Sequence, residues 1–140
     1  MAITKQAGRQ EVISAKVGYT FSDLVSGTAV SAINLPANAR ILDVTNRIEV
    51  AFNSVTTDAL VIRSNEGTPK NYISVSAGSG ALSTGLVSKA ATGASSNVGF
   101  LNPLPSTIDV LWTGAGAITT GTGTLVVDYV VENRAAFSQG

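Results

Sequence analysis

An all-β fold, a two-sheet antiparallel sandwich of about eight strands and of jelly-roll type, follows from three features of this chain. Ser, Thr and Gly make up 44 of its 140 residues, a composition that disfavours helix because Ser and Thr compete for backbone hydrogen bonds and Gly costs backbone entropy. Apolar residues recur at every second position, the period of a strand with one buried face, and helical spacing is nearly absent. Breaks rich in Gly, Pro and Asn separate the runs, and turns in place of crossover helices make the sheets antiparallel.

The first strand is expected at 11–21, with Ile13, Ala15, Val17, Tyr19 and Phe21 on one face. The stretch TFSDLVSG after it has room for one short helical turn with Ser22 as cap, while Thr20, Val25 and Gly27 keep it short. A second strand, 28–35, stops at Pro36, which has no N–H to give a ladder. The third, 39–53, is the longest. Alternation sets Leu42, Val44, Asn46, Ile48, Val50 and Phe52 on one of its faces and Asp43, Thr45, Arg47 and Glu49 on the other. Strands at 59–64 and 70–76 flank NEGTP, where Gly67 and Pro69 supply turn chemistry. A sixth is expected at 82–88. Pro103 and Pro105 bracket Leu104 ahead of the seventh, 106–113, in which Ile108, Val110 and Trp112 alternate. The eighth, 122–132, sets Leu125, Val127, Tyr129 and Val131 on one face and Thr124, Asp128 and Glu132 on the other. Segments 89–105 and 114–121 read as small-residue loops ordered by contact. Residues 1–10 and 133–140 read as an N-terminal arm and a C-terminal tail on one domain, 11–132.

Composition then removes most chemistry. With no cysteine the chain has no disulfide, thiolate ligand or thiol nucleophile, and the redox compartment stays open. With no histidine it lacks the usual proton-transfer group at neutral pH and any Ser-His-Asp arrangement. No Ser-x-x-Lys spacing precedes Lys5, Lys16, Lys70 or Lys89. Asp43 and Glu49, the nearest carboxylates on one face, stand roughly 20 Å apart along a strand, whereas glycosidase pairs need roughly 5 to 10 Å. Asp109 and Asp128 are the residues able to approach them from other strands. No calcium-loop spacing occurs, and GAGAITTGTG at 114–123 leads into a strand without a Lys, so it reads as a hairpin loop and not a phosphate cradle. No cofactor or metal is expected, and the protein is read as no enzyme.

Nine Lys and Arg balance nine Asp and Glu, and charged residues are 13% of the chain, about half the usual share of roughly 25%. The cations are scattered from Lys5 to Arg134, so no direct nucleic-acid partner is expected. No apolar run approaches the roughly 20 residues that cross a bilayer, and MAITKQAGRQ lacks a signal-peptide core. Synthesis in a cytoplasm, with no membrane partner, is the expectation. Phe21, Phe52, Trp112 and Tyr129 alternate with their neighbours as core residues do. Phe100 and Phe137 stand in a loop and a tail with little apolar company, as anchors for a partner's pocket would.

The succession AINLPANARILDV, VTTDALVIRSNEGTPKNYISV and STIDVLWTGAGAITTGTGTLVVDYVVE resembles the small jelly-roll cement, or decoration, proteins that tailed bacteriophages add to the outside of their capsids. The resemblance spans about 11 to 132 and lies in the pattern of strands and turns. It implies a structural virion protein, made in the host cytoplasm and placed on the outer capsid surface. Such a protein has the major capsid protein and other copies of itself, as a homodimer or homotrimer, for partners, and it bridges capsid subunits against the pressure of packed DNA. The family has no motif that assigns contact residues. From the residues themselves, Asp43, Arg47 and Glu49 form either a solvated sheet face or a subunit contact with opposite charges paired across strands, and Phe100 and Phe137 are the candidate anchors. The alternative is a carbohydrate- or receptor-binding jelly roll of a phage fibre. That would want exposed aromatics flanked by amides and acids, and the longest loops hold only Phe100 and a few Asn.

Overall fold

Strands form where the sequence alternates, as a computed structural model of residues 11–54, 58–65, 68–78, 82–90 and 97–132 shows. The proposed arm 1–10, the tail 133–140 and Phe137 lie outside the described residues. The described residues form nine strands: β1 (Ile13–Thr20), β2 (Ala29–Leu35), β3 (Ala39–Val50), β4 (Asp58–Ser64), β5 (Lys70–Gly78), β6 (Val87–Lys89), β7 (Leu101–Asn102), β8 (Ser106–Gly114) and β9 (Thr122–Val131). One sheet has the order β1-β9-β3-β6, with β7 also paired to β3, and the other has β2-β8-β4-β5. Every ladder is antiparallel. The pairings nest, β1 with β9, β2 with β8, β3 with β6 and β4 with β5, so the chain is a two-stranded ribbon rolled into two facing sheets. That is the jelly-roll arrangement.

Three local expectations are corrected. The sixth strand is only Val87–Lys89, because Gly85 takes a left-handed conformation (φ 85) in a turn closed by the Leu86 N–H on the Ser83 carbonyl, which keeps 82–86 out of the ladder. A two-residue strand, β7, falls inside the segment 89–105 read as loop. The helical turn exists as a single 3-10 turn, Phe21–Asp23, capped by Thr20 instead of Ser22: the Thr20 N–H donates to the Asp23 carboxylate at 2.8 Å. The loop 114–121 is ordered by contact as expected. Asn53 Oδ1 accepts the N–H groups of Thr119 and Thr120 at 2.9 and 3.1 Å, and Ser54 Oγ binds both the carbonyl and the N–H of Ala115.

Register irregularities in β3 change which side chains face inward. Against β9 the pairing slips between Ile41 and Asp43 and again between Ile48 and Val50. A bulge adds a residue to one strand and shifts its alternation. Ala39 and Ile41 are buried ahead of the slip, and Val44, Asn46 and Ile48 are buried after it. Leu42 and Val50, expected on the buried face, are therefore exposed (39% and 47%).

Between the sheets Val44, Ile48, Leu125 and Val127 from one side meet Leu60, Ile62, Ile108 and Val110 from the other, all essentially without solvent contact. Each such aliphatic side chain contributes about 1.5–3 kcal/mol on burial. Phe52 links Tyr19 and Trp112, with ring centroids 6.5 Å away on each side. Two hydrogen-bonded pairs of polar side chains lie in this core. The Tyr19 hydroxyl donates to Asn46 Oδ1 at 2.9 Å, and Trp112 Nε1 donates to Asp58 Oδ1 at 3.0 Å. Asn46 is thus on the inner face as alternation places it, satisfied by the tyrosine.

Candidate interaction surface

The strand registers collect side chains from four strands on the outer face of the β1-β9-β3-β6 sheet. Reading across the strands, Ser14, Asp128 and Asp43 form one row; Lys16, Val126, Thr45 and Lys89 form the next; Gly18, Thr124, Arg47 and Val87 form a third. Beyond the first row, Arg40 pairs with Val130, and Val12 precedes the Ile13–Tyr129 pair on the β1 side. Asp43, Arg47 and Glu49 therefore lie together on one outward face, where alternation sets them.

Among the described residues three ion pairs lie on this sheet. Lys89 Nζ stands 3.7 Å from Asp43 Oδ2, Arg47 Nε 3.4 Å from Glu49 Oε2, and Arg40 Nε 2.6 Å from Glu132 Oε1. Arg40 also donates through Nη1 to the Gly99 carbonyl, which ties the β3 start to the chain before β7. The first two pairs have side chains 40% to 65% exposed, so solvent screening leaves each worth less than about 1 kcal/mol. They add little to folding. Phe100 is set apart from this face: its ring, 38% exposed, lies under the Lys70 ammonium of β5 at 4.6 Å from the centroid. A cation over an aromatic face is an attractive contact that holds the ring in place.

The face holds several residues that strand alternation alone did not single out. Lys16, Lys89 and Asp128 join it through sheet order, which local sequence does not encode. Leu42 joins it through the bulge. Of the two carboxylates expected to approach from other strands, Asp128 comes opposite Asp43 in register, whereas Asp109 lies on β8 in the other sheet. The Asp43 side chain is 40% exposed on an open sheet and is paired with Lys89. Clefts among the described residues lie elsewhere. One of about 360 Å³ is bordered by Asn34, Asn65 and Thr107, and one of about 320 Å³ opens between β1 and β2, where Val17, Val30 and Ala32 line it beside Asp23. Neither includes Asp43 or Asp128. Among the described residues no three acidic side chains cluster as a metal site would require.

No protein-family model matches the chain, and no curated protein matches it in sequence. Solved structures do match in shape. A chain of the acidic stable capsid structure of Helicobacter pylori bacteriophage KHP30 superposes with a TM-score of 0.62 at 16% identity, covering 90% of this chain and 91% of that one. A chain of the capsid of Ralstonia phage GP4 gives 0.59 at 16% identity, covering 93% and 90%. A chain of the cyanophage Pam1 capsid asymmetric unit gives 0.56 at 16% identity, covering 94% and 91%. At these identities the likeness is one of fold, a jelly roll of matching extent from one end to the other.

Proposed function

We propose that this protein is a structural component of a tailed-phage virion, bound to the outer surface of the capsid, where it cements neighbouring major capsid protein subunits against the pressure of packed DNA. The observation that carries this reading is the end-to-end match of its jelly roll with chains from three phage capsids, nine-tenths or more of both chains in each case. Three sequence segments add to it through their resemblance to cement proteins, that of a Bordetella podophage most of all. The sandwich suits the role mechanically. Two sheets locked by a dry aliphatic core resist deformation, and a surface poor in charge fits a partner by shape and main-chain bonding. On this reading the protein has no catalytic activity, meets neither DNA nor membrane directly, and is made in the host cytoplasm. Asp43, Arg47, Glu49, Phe100 and Phe137 are its candidate contact residues.

Shells assembled without the protein provide the test. Added protein should pellet with them in fixed proportion and raise the temperature at which they open. Protein that stays in the supernatant and leaves shell opening unchanged overturns the reading, and binding to a glycan array in the same experiment would favour the fibre-domain alternative.

A further inference from the structure

The two outer faces of the sandwich are not alike. Of the seven large apolar side chains exposed among the described residues, Val12, Leu42, Val50 and Val87 lie on or at the rim of the β1-β9-β3-β6 face. The remaining three, Val25, Phe100 and Leu104, are in turns and loops, and none is on β2, β8, β4 or β5. Exposed valines that stand singly need no explanation; what sets this face apart is that four exposed apolar side chains share it with a full set of both charges.

The charges on the same face indicate what covers it. Lys16, Arg40, Arg47 and Lys89 are matched by Asp43, Glu49, Asp128 and Glu132, so the face is neutral and selects no partner of one sign. Its charges are also ordered. The acidic row of Asp128 and Asp43 lies beside the basic row of Lys16 and Lys89, two residues or about 7 Å along the strands. Asp128 and Asp43 face each other as like charges, an unfavourable cross-strand pair. Lys89 relieves Asp43 within the molecule, whereas Asp128 and Lys16 have no ion-pair partner among the described residues.

We infer that this face is the contact between two copies of the chain, packed sheet against sheet about a two-fold axis that runs across the strands between the acidic and basic rows. Such a rotation lays each acidic row over the other copy's basic row. Asp128 of one copy then meets Lys16 of the second, and Asp43 meets Lys89, each pair offset by one strand spacing of about 5 Å, which a lysine stem spans. The contact is self-complementary, since every residue pair occurs twice, and the exposed valines are covered with it. A dimer of this kind supplies the self-association step of the proposed cementing role. It is measured without any shell, so the dimer and that role stand or fall separately.

Sedimentation of the full-length protein at about 100 µM, at low and high salt, reads the result. The wild type should be a dimer that weakens with salt. Lys16→Glu with Lys89→Glu, and separately Asp43→Lys with Asp128→Lys, should each weaken self-association by about tenfold or more, while an equimolar mixture of the two variants should dimerise again. Far-UV circular dichroism checks their folding, and Lys16→Gln and Asp128→Asn give the same readout, about threefold weaker, if a double variant does not fold. A monomeric wild type, variants that dimerise as the wild type does, or a mixture that stays monomeric would each overturn the inference. So would variants that remain dimeric and lose shell binding, because the face would then belong to the shell.

Discussion

Replacing Tyr19 with Phe should cost about 1–3 kcal/mol at pH 8, and the cost should shrink as the solution becomes strongly alkaline. Tyr19 is 6% exposed, and its hydroxyl is held by Asn46, itself 1% exposed. Phe keeps the ring against Phe52 and over Gly123, so the change removes the hydroxyl alone. Asn46 Oδ1 is then buried without its donor, and an unsatisfied buried acceptor carries its full desolvation penalty. The pH term has a separate origin. Burial disfavours the phenolate and pushes the Tyr19 pKa up from 10.0 to about 12. Because the folded value lies above the unfolded one, this contribution is complete below pH 10 and is lost as pH rises towards 12. One pKa unit corresponds to about 1.4 kcal/mol, so at pH 11, one unit above the unfolded value, the wild type has given up about 1.4 kcal/mol that the Phe variant keeps. Urea midpoints of both proteins at pH 8, 9, 10 and 11 measure the gap, and other titrating groups cancel because they are common to both. A gap that does not narrow between pH 8 and pH 11 refutes the idea that burial keeps this phenol neutral.

Two further substitutions probe the same core. Gly121 has φ 144, and a Cβ there would come within 2.6 Å of the Phe52 ring; Gly121→Ala should therefore destabilise by about 3 kcal/mol or more through combined strain and overpacking, read as a fall in melting temperature, and a loss below about 1 kcal/mol would show that Phe52 can yield. Trp112→Phe removes the donor to Asp58, which is 1% exposed and whose Oδ2 has no hydrogen-bond partner among the described residues. It should cost about 2–4 kcal/mol, and adding Asp58→Leu should recover part of that loss, since an apolar pair leaves no buried polar atom unpaired. Failure of the second change to recover any stability in urea titrations would put the cost in ring packing alone.

Much of the architecture is written in local alternation. Ile13, Ala15, Val17 and Tyr19 face inward on β1, as do Leu125, Val127 and Tyr129 on β9 and Ile108, Val110 and Trp112 on β8. What the sequence conceals depends on partners. The slip at Leu42 exists only relative to β9, so no inspection of β3 alone separates Leu42 from Val44. The stretch from Leu82 to Leu86 reads as a strand until Gly85 adopts its left-handed turn, and Leu82 is buried all the same, its carbonyl accepting the Phe52 N–H. The candidate face divides in the same way. Outward placement of Asp43, Arg47 and Glu49 follows from period two, whereas their company with Lys16, Lys89 and Asp128 requires knowing that β9 lies between β1 and β3 and that β6 lies beyond β3.

Because Ile13 is paired with Tyr129, the described chain enters and leaves the sandwich at the same pole, on adjacent antiparallel strands. A force drawing those two points apart would peel the β1–β9 ladder rung by rung, like a zipper, and would load only one or two hydrogen bonds at any moment. The same force applied across the broad faces is shared by whole ladders in shear. Tension through the ends is thus the direction in which this molecule yields, and compression or shear through its faces is the direction in which it is stiff.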